Sequence, residues 1–150
     1  MTSITGMQST RTEISMAGNQ RESGLTFAAA EAGLRDGENF VADSISKNVY
    51  TDPANGLFSD TDEDPDYMDY GVWATAQLGE TELDYASEQP RFFVKYLGDR
   101  FQNPAQAINI GGYGKGQPGK VVSNFRVTAR GAGQTGNSHR TIQSYFGKEF

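Results

Sequence analysis

A chain of 150 residues with 36% hydrophobic residues and 18 glycines has room for one domain with a modest core and many loops. Its net charge of -6 and lack of any Lys/Arg cluster exclude a nucleic-acid partner, because phosphate backbones draw basic surfaces. Zero cysteine removes disulfides, thiolate metal sites and thiol nucleophiles. No apolar run reaches the length of about 18 residues that a membrane span requires.

The opening "MTSITGMQSTRTE" has neither the basic start nor the apolar centre of a signal peptide. From about Ser9 to Ile45 the pattern predicts one long helix. Phe27, Ala30, Leu34, Val41 and Ile45 recur at helical spacing and form the expected core face. A second apolar line, Ile14, Ala17, Gly18, Leu25, Ala28 and Ala32, runs beside it. Between Leu25 and Leu34 the helix is rich in alanine, which invites close approach by a neighbouring element. Gly18, Gly24, Gly33 and Gly37 each cost about 1 kcal/mol relative to alanine unless close packing or bending compensates.

Residues 46–70 lose periodicity: prolines, an Asn-Gly pair and an acidic run predict a long irregular connection. "GVWATAQL" (71–78) reads as a weak strand or short helix. "RFFVKYL" (91–97) alternates, with Phe92, Val94 and Tyr96 opposed to Phe93, Lys95 and Leu97. "VVSNFRVTAR" (121–130) sets Val121, Phe125, Val127 and Ala129 against Asn124, Arg126, Thr128 and Arg130, and "RTIQSYF" (140–146) alternates as well. A long helix followed by strands with hairpin-like glycine-rich links (111–119 and 131–137) predicts an α+β fold, its helix packed on an antiparallel sheet of about four strands. The expected organisation is one domain: helix over 1–46, variable connection over 47–89, and sheet region over 90–150.

Few motifs carry chemistry. "GKGQPGKV" (114–121) satisfies G-x-x-x-x-G-K. However, Val121 stands where a phosphate loop needs Ser or Thr, and a strand follows where a helix is required. It reads as a hairpin turn. Asp60, Asp62, Asp64 and Asp66 alternate in a loop, as calcium-binding carboxylates can. Pro65 and Gly71 occupy the sixth and twelfth positions, so the EF-hand pattern fails. A noncanonical calcium site and a solvated acidic loop both remain open. His139 is the single histidine and is expected to be solvated at a strand edge, outside any transition-metal set. No serine has a nucleophile context, and Glu80 and Glu82 lie in a polar stretch, so no active site is read. Tyr67, Tyr70 and Trp73 form an aromatic cluster read as packing ahead of a ligand platform.

Three segments together carry a resemblance. "MAGNQRESGLTFAAAEAGLRDGE" (16–38) resembles the helix signature of PilX-family minor pilins of type IV pili. "PRFFVKYLG" (90–98) is similar to that family's strand after its variable region, and "NFRVTARGAGQTGNSHRTIQSYF" (124–146) to its terminal strand pair. The resemblance implies a type IV pilin-like fold and a noncatalytic minor pilin that primes pilus assembly and is incorporated at or near the fibre tip. It further implies a leader, a cleavage site and an apolar stretch of about 20 residues before these residues. These would anchor the full-length form in the inner membrane, with the domain in the periplasm before assembly and outside the cell afterwards. Implied partners are other minor pilins, the major pilin and a large tip adhesin of the PilY1-like class. Ile4, Met7, Ile14 and Met16 are the expected partner interface. No cofactor is expected, calcium on the acidic loop aside. The alternatives are a type II secretion pseudopilin, which shares the helix-plus-sheet plan, and a calcium-dependent adhesive or ligand-binding module.

Overall fold

The computed structural model describes residues 2–102 and 120–150, with side chains described over 10–100 and 121–150. Helix α1 spans Thr2–Asp43. Its 42 residues give a rod roughly 60 Å long. The strands follow as β1 (Leu57–Phe58), β2 (Gln77–Leu78), β3 (Arg91–Gln102), β4 (Lys120–Ala132) and β5 (His139–Lys148). Strands β3, β4 and β5 form an antiparallel meander, and β2 adds antiparallel to β3.

The sheet has five strands and is mixed, where a purely antiparallel sheet of about four strands was expected. The exception is β1, which runs parallel to β3, pairing Leu57 with Val94 and Phe58 with Lys95. A parallel neighbour needs a long crossover, and residues 59–90 provide one. They hold only β2 and a short 3-10 helix at Tyr70–Thr75. The segment 71–78 thus combines both predicted forms: 3-10 helix to Thr75, then strand β2.

Alternation along β3 and β4 builds a core on each side of the sheet. On the helix side Val41 of α1 packs with Tyr50, Leu57, Phe92, Val94, Phe125, Val127 and Ala129. Behind the sheet, Phe93 packs with Phe58, Trp73 and Ala76 beneath the irregular connection. The 59–90 segment is therefore a lid over the second face. Its Trp73 is buried, and the indole Nε1–H donates to the Tyr67 carbonyl at 3.0 Å.

The helix meets the sheet through small residues. Thr26, Ala29, Ala30, Gly33, Gly37 and Val41 are buried, at intervals that keep them on one face. A Cβ on Gly131 of β4 would overlap the backbone of Ala29 and Ala30, and one on Gly37 would overlap Val127. This contact rotates the buried face away from the expected one. Ala30 and Val41 are fully buried and Leu34 packs partly against the core. Phe27, by contrast, is 39% exposed and Ile45 94% exposed. Neither is a core residue. Phe27 is too large for the close helix–strand contact and lies on the flank, with the Arg140 guanidinium 5.7 Å from its ring centroid. Ile45 follows the helix end at Asp43 and has left the helical track.

Candidate functional site

Every residue of α1 from Thr10 to Arg21 is exposed, and burial begins at Glu22. Ile14 retains 67% and Met16 58% of their accessible surface. The side chains of Ile4 and Met7 fall outside the described ones. Gly18 and Gly24 would meet nothing within 4 Å if given a Cβ, so no packing among the described residues compensates their helix-weakening effect.

Where the exposed half ends, the helix is tied to the β4–β5 hairpin. Glu22 Oε1 accepts hydrogen bonds from the Thr135 amide (3.1 Å), Thr135 Oγ1 (2.9 Å) and Ser138 Oγ (3.0 Å). Oε2 accepts from the Gln134 amide at 3.2 Å. The Thr135 amide and hydroxyl, aided by Ser138 and Gln134, hold the carboxyl below its ordinary pKa. Thr26 joins the same cluster through a 2.8 Å hydroxyl contact with Ser138. Gly133 sits beneath it, with no room for a Cβ beside Glu22 and Thr26. The helix signature and the terminal strand pair, far apart in the chain, are one contact in space.

The acidic loop has a different use from the one its alternation suggested. Asp64 Oδ1 bridges Lys95 Nζ (2.8 Å) and Arg126 Nη2 (2.5 Å). Burial works to raise its pKa, but the two cations hold it below the ordinary value. Asp62 accepts from the Ser59 amide (2.8 Å) and hydroxyl (2.9 Å), bonds that lower its pKa, with Lys95 adding a smaller electrostatic effect. Asp66 caps the Met68 amide at 3.0 Å. The aspartates are thus dispersed onto separate partners. Among the described residues no three His, Asp or Glu side chains converge on a metal-sized site. The calcium set left open by the sequence, Asp60, Asp62, Asp64 and Asp66, is not assembled among the described residues.

At the bulge between Tyr96 and Gly98, Asp99 accepts from Lys47 Nζ, Ser123 Oγ and Tyr96 Oη, each at 2.6 Å. These bonds, that of Lys47 foremost, lower its pKa to about 2. Burial first, then Asp99, pushes the Tyr96 phenol up to about 12. His139 is not solvated as expected. Its ring stands edge-on to Tyr70 with centroids 5.5 Å apart, and its Nε2 lies 3.8 Å from Glu88. Of the aromatic cluster, Tyr67 and Trp73 pack into or against the second core, whereas Tyr70 stays 60% exposed. The phosphate-loop look-alike lies largely outside the described residues; its Val121 is in β4.

A family model described as "Type IV pilus assembly protein PilX C-term" matches residues 26–148. The chain belongs to the PilX family. Its PilX match covers the sheet-packed half of α1, both cores and the whole of β5 to Lys148, so a type IV pilus assembly component is what this fold serves. Comparison with curated proteins and with solved structures found no match. No helix among the described residues is long and apolar enough to cross a membrane.

Sequence reading missed Glu22, Lys148 and the bridging role of Asp64. The partners of Glu22 lie at separations of 112 to 116 residues, and a single glutamate on a polar helix turn gives no local signal. For Asp64 a signal existed. The alternation of β3 and β4 put Lys95 and Arg126 on the same outward face, and two cations there demand a counter-ion.

Proposed function

We propose that this PilX-family domain is a noncatalytic minor pilin that primes type IV pilus assembly and is incorporated in the fibre at or near its tip. The observation that carries this reading is the exposed half of α1. Residues 10–21 present Ile14 and Met16 to solvent, continuous with a half that is locked to the sheet. A helix can hold such residues stably exposed only at a cost, and a family of assembly proteins supplies the reason: neighbouring pilin helices cover them. Ile4 and Met7 extend the same segment in sequence. The full-length form is anchored in the inner membrane, faces the periplasm before assembly and joins the extracellular pilus afterwards.

Other minor pilins, the major pilin and a PilY1-like tip adhesin are the partners in this reading. The helix gives the shared contact, while the 59–90 lid and the sheet edges give partner specificity, since irregular segments on a rigid scaffold usually carry it. The test is deletion of the gene followed by a count of surface pili. Loss of pili with protein secretion intact supports this reading; normal piliation contradicts it, and a secretion defect alone points to the pseudopilin class.

A further inference from the structure

Two pairs of basic residues oppose each other across β3 and β4 on the sheet face beneath the 59–90 lid. Lys95 stands directly opposite Arg126, and Arg91 directly opposite Arg130. Such partners have Cβ atoms roughly 5 Å apart, and like charges so placed destabilise a sheet. The first pair is bridged from within the chain by Asp64, at 2.8 and 2.5 Å.

The second pair has no equivalent among the described residues. The nearest carboxylate to Arg130 is Glu88, at 3.9 Å. Glu88 is already engaged with the Tyr70 hydroxyl at 2.8 Å and stands 3.8 Å from His139. Arg91 reaches only the carbonyls of Ala74 and Ala76, both at 3.4 Å, and enters no ion pair among the described residues.

Both arginines line a cavity of about 410 Å³ together with Tyr70, Trp73, Leu78, Gln89 and Glu88, whose carboxylate the Tyr70 hydroxyl already engages. Arg130 is fixed there. Its guanidinium carbon lies 4.6 Å from the Tyr70 ring centroid and 5.0 Å from that of Trp73, with 10% of the side chain exposed. Burial first, and to a smaller extent the charge of Arg91, lower its pKa even though Glu88 and Tyr70 oppose them. A second anion would offset the repulsion between the two arginines.

We propose that this cavity binds a carboxylate from outside the chain, which bridges Arg91 and Arg130 as Asp64 bridges Lys95 and Arg126. Guanidinium forks match carboxylate geometry in paired hydrogen bonds. The aromatic and aliphatic walls exclude part of the solvent that would otherwise screen the attraction. The cavity has room for more than a bare ion, so an acidic side chain of a polypeptide and a free polycarboxylate are both chemically suitable. The inference is independent of where the domain sits in a pilus.

The test is an NMR titration of the nitrogen-15-labelled domain with citrate, and separately with an end-capped tetraglutamate peptide, against sodium chloride at matched ionic strength. Saturable shifts of the Trp73 indole and the Gly71 and Ala74 amides are expected, absent with chloride. Arg91→Gln should weaken binding about tenfold or more without lowering Tm, because it also removes a like-charge opposition. Arg91→Lys keeps the charge but not the fork, and should bind several-fold more weakly than the parent. Response to both ligands makes a small carboxylate sufficient; response to the peptide alone makes a polypeptide the source. No saturable shift with either ligand, or unchanged affinity in both Arg91 variants, overturns the proposal.

Discussion

Lys148, near the end of β5, donates from Nζ to the carbonyl oxygen of Ala42 at 2.5 Å, closing a helix end that lies 106 residues upstream. The same ammonium group reaches the carbonyls of Val41, at 3.2 Å, and Ser44. The last turn of α1 holds no basic residue of its own, so a distant lysine satisfies its free carbonyls and opposes the negative end of the helix dipole. Lys148→Met should therefore destabilise the domain by about 1–2 kcal/mol, read from urea denaturation. An unchanged midpoint would show that solvent replaces the lysine without loss.

Gly131, on the strand against the helix, and Gly18, on the exposed half of the helix, should respond in opposite directions. Gly131→Ala places a methyl against the Ala29–Ala30 backbone and should cost about 1–3 kcal/mol, since neither backbone can yield easily. Gly18→Ala meets open space and should stabilise the isolated domain by roughly 0.5–1 kcal/mol. Thermal melts of the two variants check this, and destabilisation by Gly18→Ala would reveal packing that the exposed half of the helix hides.

Asp64→Ala leaves Lys95 and Arg126 opposed with nothing between them. Because Asp64 is 45% exposed, the loss should be modest, on the order of 1 kcal/mol, and should shrink as salt is raised. Calcium should leave the Tm of the parent domain unchanged, since Asp62, Asp64 and Asp66 already serve other partners. A calcium-dependent rise in Tm that Asp62→Ala abolishes would reverse that assignment.

Acid should reach Asp99 late. Its pKa falls from the ordinary 3.8 to about 2 on folding. The stability it adds is thus fully present above pH 4 or so and is lost as pH falls through the folded value near 2. Glu22 shifts in the same direction. Asp99→Asn should flatten the acid limb of the stability curve between these limits. An acid limb identical to that of the parent would remove Asp99 from the account.

Much of this architecture is legible in the chain, and the reasons for the rest are physical. Strands β3, β4 and β5 announce themselves because residues such as Phe92 and Val127 alternate with a period of two. The helix announces itself through its length. Its rotation does not, because the buried face is set by Gly131 near the end of β4 and Gly133 just beyond that strand, about a hundred residues away. Ranking helix positions by hydrophobicity therefore favours Phe27 over Gly33 and chooses the wrong neighbour. Short β1 escapes detection because two residues have no period. The alternating aspartates resemble metal ligands because carboxylates that neutralise arginine and lysine look the same in sequence as those that bind calcium. Only the pairing of Lys95 with Arg126 distinguishes them.

In the proposed function the exposed half of α1 is an assembly contact, separate from what folds the domain. It is tested most directly by Ile14→Asp with Met16→Asp in the full-length protein, with surface pili counted by electron microscopy. Both side chains lie in solvent, so the Tm of the isolated domain should stay within about 0.5 kcal/mol equivalent of the parent, while pili become few or absent. Normal pilus numbers from a stably produced double variant would contradict the account.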